Sequence, residues 1–292
     1  MVAALNTLLS PFAIHYAPMS TLYLVATPIG NLEDITQRAL RILKEVTNIA
    51  AEDTRRTGRL LKHYNISTQL ISYHEHNADS MLPHLLEKLQ SSDLALVSDA
   101  GTPLLNDPGY QLVRAALENG HTVTPIPGPS APIAALVASG LPSDAFLYLG
   151  YLPRKSSNRQ RLLAEIKTSP YTLIFLETPH RLLAALNDLY SELGDRQVAV
   201  ARELTKLHEE IFRGKLSEAI ARFKAQAPRG EITLVVAGAV KESGRWTEER
   251  MRAALAEHLA NGEPPSQIAR QLAKKSGWRR REVYNLIIEI QS

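Results

Sequence analysis

Four short segments of this sequence carry residue types suited to building a site: TPIGN (27–31), EDTRR (52–56), SDAGTPLLNDPG (98–109) and PGPSAP (127–132). Gly, Pro, Asn and Asp make tight, inflexible turns, so such segments can mould backbone around a ligand. The neighbouring side chains suggest proton transfer. Glu52 and Asp53 are carboxylates, His76 lies in YHEHN (73–77) and His180 in ETPHR (177–181), and each is a candidate general base toward a weak nucleophile such as a hydroxyl. Arg55 and Arg56 add guanidinium groups whose paired N–H donors match phosphate oxygens. Each candidate has a rival reading. Asp53 also suits the N-cap of a helix opening at Thr54, and the two arginines suit a solvated helix face. His74, Glu75 and His76 place two imidazoles on one side of an extended stretch without a third ligand, so no metal is expected. Tyr73, Tyr148 and Tyr151 suit base stacking or ordinary strand-end packing.

The elements that must hold these groups follow from hydrophobic periodicity. Short β-rich runs at 22–27, 48–51, 69–72, 94–97 and 122–126 alternate with helical patterns at 36–43, 55–63, 81–89 and 110–118. That alternation is βαβ and predicts a mostly parallel sheet wrapped by helices. Ligands of open α/β sheets bind beyond the carboxyl ends of the strands, and all four Gly/Pro segments fall there. A second set of strand patterns follows Gly140, at 146–149, 172–176, 198–201, 210–213 and 232–237, with helices near 160–167, 181–193 and 217–224. SGLPSD (139–144) reads as the link between the sets. Beyond Trp246 the character changes to three helical patterns, 248–260, 265–274 and 279–290, the last two joined by KSGW in the manner of a helix-turn-helix. The expected organisation is an N-terminal extension (1–20), two α/β domains (21–139 and 140–240) and a small all-α domain (241–292).

Bulk properties narrow the functions. With 292 residues, 45% hydrophobic and 22% charged, the chain can bury more than one core. It has no cysteine, which excludes disulfides, thiolate metal sites and a cysteine nucleophile and suits a reducing, cytoplasmic setting. Residues 1–18 contain no Lys or Arg, unlike a secretion signal, and no stretch reads as a membrane span. From Lys241 onward there are 10 Lys and Arg against 7 Glu, an excess equal to the whole chain's +3. Lys274, Lys275, Arg279, Arg280 and Arg281 dominate that tail, and Arg154 and Lys155 open a second basic stretch. A polyanionic partner accounts for this distribution, as does a merely solvated helical face. No segment is the G-x-G-x-x-G dinucleotide fingerprint or a P-loop, so nicotinamide and nucleoside-triphosphate cofactors are not expected.

As a set, VATPIGNLEDIT, AAEDTRRTGRLL, YHEHN, LVSDAGTPLLNDPGY, PGPSAPIAALVASGLPSD and ETPHRL resemble the tetrapyrrole-methylase-like S-adenosylmethionine methyltransferases, over roughly residues 22–238 and in the branch acting on ribosomal RNA. The resemblance implies two α/β domains with S-adenosylmethionine folded between them, and a homodimer. It also implies methyl transfer to the ribose 2′-oxygen of a decoding-region cytidine in 16S rRNA, free or within the 30S subunit. By motif, it places Pro28, Ala100, Gly101, Thr102, Leu105, Ser130, Ala131, Glu177 and Leu204 at the cofactor. Thr102 stands where the family has Asp, so backbone groups would replace a carboxylate contact there. On the acceptor side it leaves Asp53, Glu52, Arg56, His76 and His180 as catalytic candidates, with Arg55, Arg56 and the two basic stretches toward RNA. Two other functions stay open at this point: a methylase of the same fold acting on a small tetrapyrrole-like molecule, and a non-catalytic RNA-binding module.

Overall fold

A computed structural model describes residues 20–240 and 246–291; the expected N-terminal extension, apart from Ser20, lies outside the described residues. The first half of the chain forms a five-stranded sheet from β1 (Thr21–Val25), β2 (Asn48–Ala51), β3 (Gln69–Ser72), β4 (Leu94–Val97) and β5 (Thr122–Ile126), in the order β3-β2-β4-β1-β5 and parallel throughout. Every residue of β2 and β4 is buried, as continuous apolar runs in the middle of a parallel sheet require. Pro125 lacks an N–H for a ladder, and β5 takes the edge. The helices α1 (Gln37–Glu45), α2 (Thr54–His63), α3 (Ala78–Ser91) and α4 (Tyr110–Glu118) follow the first four strands in turn. Thr36 caps α1 by accepting the Ala39 N–H at 3.1 Å, and Asp53 caps α2 through the Arg55 N–H at 2.8 Å.

One helix was not expected: α5 (Ala131–Ser139), directly after β5. Its sequence, APIAALVAS, is apolar on all sides and shows no amphipathic stripe. Ala135 and Leu136 pack with Ile174, Ala199 and Val235, which belong to the second sheet. That sheet contains β6 (Phe146–Tyr151), β7 (Thr172–Glu177), β8 (Gln197–Arg202), β9 (Glu210–Lys215) and β10 (Ile232–Val236), in the order β6-β7-β10-β8-β9. Only β6 and β7 run parallel; β10 is antiparallel to both its neighbours, and β9 to β8. The second sheet is therefore mixed. Its other face is covered by α6 (Ser156–Ile166), α7 (Pro179–Leu193) and α8 (Leu216–Ala225), with Phe175, Leu182, Leu186 and Phe223 in one apolar cluster.

Both sheets lie in one compact unit and the C-terminal helices in another. In the second, α9 (Glu248–Ala260), α10 (Pro265–Ser276) and α11 (Arg280–Gln291) bury Met251, Leu255, Ile268, Leu272, Val283 and Ile287 against one another. Gly277, in the left-handed conformation, ends α10, and the Glu282 carboxylate accepts the Arg279 N–H at 2.7 Å to open α11. Lys274, Lys275, Arg279, Arg280 and Arg281 are all exposed. Among the described residues, no helix is long and apolar enough to cross a membrane.

Candidate active site

The Gly/Pro segments meet at the carboxyl edge of the first sheet and are tied to one another. Thr27 and Gly101 exchange both backbone hydrogen bonds at 2.9 Å, joining the turns after β1 and β4. Gly101 has φ +85°, a conformation that glycine adopts at little cost. The Thr102 hydroxyl donates to the Pro129 carbonyl at 3.1 Å, which adds the turn after β5. Thr102 thus uses its donor between loops. Asp99 completes the set: its carboxylate accepts the Asp53 N–H at 3.0 Å and faces Arg56 at 3.3 Å, while its own N–H donates to Glu52 at 3.2 Å.

The second sheet closes over this edge at two points. In the loop after β4, Leu104 (φ 72°) and Asn106 (φ 68°) are left-handed without being glycine, and the Tyr148 hydroxyl donates to the Asn106 side-chain carbonyl at 2.6 Å. A Cβ on Gly150 would lie 2.5 Å from that same amide, so β6 needs glycine there to admit the loop. The second point is at Gly30. A Cβ on it would lie 2.4 Å from Lys206 Cγ and 2.9 Å from the Leu204 carbonyl, and the neighbouring Asn31 N–H donates to Thr205 Oγ1 at 3.0 Å.

Between these two points lies a cavity of about 240 Å³. Of the residues expected at a cofactor, Ala100, Gly101, Thr102, Leu105, Ser130 and Ala131 line it, and so does Glu177 from the end of β7. Pro28 lines an adjoining depression that shares Ile29, Arg56, Asp99 and Ala100 with the first. Leu204 is buried behind the wall, packed with Ile29 and Ala135. Of the catalytic candidates, Glu52 and Arg56 reach the cavity. Asp53 does not line it: its carboxylate caps α2 and pairs with Arg55 at 2.8 Å. His76 and His180 are exposed and lie off the wall, His76 against His74 with ring centroids 6.0 Å apart and His180 beside the Thr178 hydroxyl at 3.4 Å. Arg55, Arg154 and Lys155 face solvent, whereas Arg159 of the same basic stretch is buried against Asp188, with Nε donating at 2.7 Å. Tyr148 and Tyr151 line the cavity, while Tyr73 is fully buried in the core of the first sheet.

Sequence reasoning did not single out Asp99, Asn106 and Asp107, although all three stand in the SDAGTPLLNDPG segment, and it missed Glu231 just before β10 and Thr233 near its start. The antiparallel direction of β10 brings them there. Ile232 pairs with Glu177 and with Arg202, so the amino end of β10 lies beside the carboxyl ends of β7 and β8.

The wall is acidic, and its carboxyls differ in surroundings. Hydrogen bonds from Arg55 hold Asp53 well below the usual carboxylate range. Burial raises Glu52, and the nearby Asp99 charge adds to that. Burial, reinforced by the Glu52 charge, pushes Asp107 up to about 6. Burial and the Asp107 charge push the Tyr148 hydroxyl up to about 12, which keeps it a donor at neutral pH. Glu177 Oε1 accepts the Thr178 N–H at 2.8 Å and faces Arg181 Nε at 3.3 Å. Its Oε2 is buried with no partner among the described residues, and so is the Ser130 hydroxyl. Two buried polar atoms lacking partners on one cavity wall call for a polar ligand, because each costs about 1–3 kcal/mol if left unmade.

Residues 21–220 match the model of the tetrapyrrole (corrin/porphyrin) methylases. The chain is 50% identical over 277 residues to the ribosomal RNA small subunit methyltransferase I of Synechocystis, covering 94% of this chain and 99% of that one. The Thermotoga maritima protein of the same name is 49% identical over 221 residues, 75% of this chain and 99% of its own. A uroporphyrin-III C-methyltransferase from Thermus thermophilus, solved with S-adenosyl homocysteine, superposes with a TM-score of 0.52 at 20% identity, covering 74% of this chain and 97% of that one. The loops, the mixed second sheet and the sequence kinship converge: the chain belongs to the tetrapyrrole methylase family, in the group of the ribosomal RNA small subunit methyltransferases I.

Proposed function

We propose that this methyltransferase transfers a methyl group from S-adenosylmethionine to the ribose 2′-oxygen of a decoding-region cytidine in 16S rRNA. The observation that carries the acceptor class is kinship at about half identity over nearly the whole chain with proteins named for ribosomal RNA. The cofactor fits the residues present. It brings amino and hydroxyl donors to the unpartnered Glu177 Oε2, and its sulfonium suits a wall carrying Glu52, Asp99, Asp107 and Glu177. Gly101, Ser130, Ala131 and Glu177 would hold it, and when bound it supplies an activated methyl group on a neutral leaving group. The protein's task is then to align the acceptor oxygen and exclude water, which rigid loops do well. In the same reading, the exposed cations of α10 and α11 meet rRNA phosphate, and Arg55 and Arg56 approach the strand beside the cleft. A cytoplasmic homodimer belongs to it too, and Ile133 and Val137 of α5, 44% and 71% exposed, offer an apolar surface for the pairing.

The test is transfer of labelled methyl from S-adenosylmethionine to 30S subunits, naked 16S rRNA and a tetrapyrrole, followed by nuclease digestion of the RNA. Label in 2′-O-methylcytidine is the expected result. Label in the tetrapyrrole alone would move the enzyme to small-molecule chemistry, and label in no acceptor would leave an RNA-binding protein without this activity.

A further inference from the structure

Five carboxylates border the cavity, and four of them are already engaged. Asp99 faces Arg56 at 3.3 Å, Glu177 faces Arg181 at 3.3 Å, and Glu231 pairs with Lys206 at 3.2 Å. Glu52 accepts the Asp99 N–H at 3.2 Å and has the Arg56 charge nearby. Asp107 differs: among the described residues no ion pair reaches it, and the charges that act on it are the carboxylates of Glu52 and Asp99, with the Ser98 hydroxyl favouring its ionised form. Its position differs as well. It lines the cavity and also a second depression of about 230 Å³ beyond the loop, which Glu75, Asp79 and Tyr110 help to form. The Tyr110 ring there is 69% exposed. Asp107 therefore borders both a space lined by the methylase loops and a space that carries an exposed aromatic ring of the kind on which bases stack. The backbone fixes it there: Leu104 and Asn106 are left-handed on one side, Gly109 (φ +139°) follows on the other, and a Cβ on Gly109 would lie 2.7 Å from Leu96. Non-glycine residues held in such conformations cluster at functional sites.

Building on the function proposed above, we infer that Asp107 is the catalytic base, its carboxylate accepting the proton of the acceptor hydroxyl as the methyl group arrives. The acceptor oxygen forms the new bond to the methyl carbon, the carbon–sulfur bond breaks with its electron pair going to sulfur, and the hydroxyl proton passes to an Asp107 oxygen. A carboxyl titrating near 6 is a stronger base than an ordinary aspartate and is still ionised at neutral pH. Burial, the Glu52 and Asp99 charges and the Ser98 hydroxyl set that behaviour; the other titratable groups facing the two spaces are Arg56 on α2, Tyr148 and Tyr151 on β6, Glu177 on β7, Glu231 before β10, and Glu75, Asp79 and Tyr110 around the second depression.

The experiment compares wild type, Asp107→Asn and Glu52→Gln by turnover against pH on whichever acceptor wild type methylates. It adds thermal unfolding against pH without cofactor, and calorimetric titration with S-adenosylmethionine. Wild-type turnover rises with pH through about 6, since the base must be ionised. Asp107→Asn loses at least roughly a hundredfold in turnover and loses that acidic limb, while cofactor affinity stays within a few-fold. The folded-state carboxyl titrates above its unfolded value, so its ionisation destabilises the fold as pH rises from about 4 to above 6. Asp107→Asn accordingly melts higher than wild type at pH 8, and the difference shrinks toward pH 4. Raised melting at pH 8 also shows that the variant folds. An Asp107→Asn enzyme that keeps its turnover and acidic limb overturns the inference, as does loss of the limb in Glu52→Gln alone. If wild type methylates no RNA, the functional proposal itself has failed, which is a separate result.

Discussion

Two loops of the two-sheet unit adopt the same unusual backbone for different ends. In the loop after β4, Leu104 and Asn106 are left-handed; in the loop after β8, Glu203 (φ 49°) and Thr205 (φ 66°) are left-handed at the same spacing. The second loop spends its polar groups on the fold. The Glu203 carboxylate accepts the Glu231 N–H at 3.0 Å and Lys206 Nζ at 2.9 Å, the Thr205 N–H donates to Glu209 at 2.6 Å, and Thr205 Oγ1 holds Asn31. The first loop is tied to the neighbouring turns at Gly101 and Thr102 and to β6 through Asn106 and Tyr148, and it presents Asp107 to the cavity wall with no ion-pair partner among the described residues. Strain of about 1–3 kcal/mol per residue is thus supported by structure in one loop and directed at chemistry in the other.

Filling the space that the first loop serves should have the largest consequence. Ala131 lines the cavity at the start of α5, where Trp would occlude a ligand space. Ala131→Trp should abolish S-adenosylmethionine binding while the protein still melts cooperatively. Unchanged affinity in calorimetry would remove these loops from the cofactor site.

Next in size is the latch of the second loop. A Val side chain at Gly30 meets the Lys206 and Thr205 side chains and the Leu204 carbonyl, and the backbone oxygen cannot move aside. Gly30→Val should lower unfolding free energy by about 1–3 kcal/mol in a denaturant titration, the usual range for overpacking. A variant as stable as wild type would show that the latch is slack.

These contrasts were only partly legible in the sequence. Strand limits at 48–51, 69–72 and 122–126 match β2, β3 and β5 because apolar, β-branched runs stop at turn residues there. The helix α5 was invisible because its all-apolar pattern has no helical period to read. Strand direction in the second sheet carries no residue signature, so Glu231 and Thr233 could not be placed at the cleft. Asp107 reads as turn chemistry in NDPG, since burial and the Glu52 charge come from elements distant in sequence. Arg159 reads as a surface cation because its partner Asp188 lies on another helix.

In the proposed function the acceptor meets the cleft, and the C-terminal helices add a second place where it can be held. Arg279 immediately precedes α11 and Arg280 and Arg281 open it, where cations oppose the helix dipole by a few tenths of a kcal/mol each. A phosphate partner would offset that cost. Replacing all three with Gln should weaken binding to the ribosomal acceptor and flatten its log–log salt dependence by up to about one unit for each phosphate no longer neutralised, with cofactor affinity unchanged. An unaltered slope would return recognition to the two-sheet unit.

The two loops are told apart most directly by removing one hydrogen bond from each. Tyr148→Phe deletes the hydroxyl that holds Asn106, and Thr205→Ala deletes the oxygen that holds Asn31. Both bonds link one sheet's loops to the other's at part-exposed positions, so each deletion should cost about 0.5–1.5 kcal/mol of stability. Their kinetic consequences should differ. Tyr148 anchors the residue before Asp107, so Tyr148→Phe releases the loop that aims the carboxylate and should lower turnover several-fold. Thr205 anchors a turn that presents no group to the cavity, so Thr205→Ala should leave turnover and cofactor affinity as they are. Steady-state kinetics on both variants, beside their melting curves, decide the matter. If Thr205→Ala slows the enzyme as much as Tyr148→Phe does, the two loops act as one closing device and their assignment to separate ends is wrong.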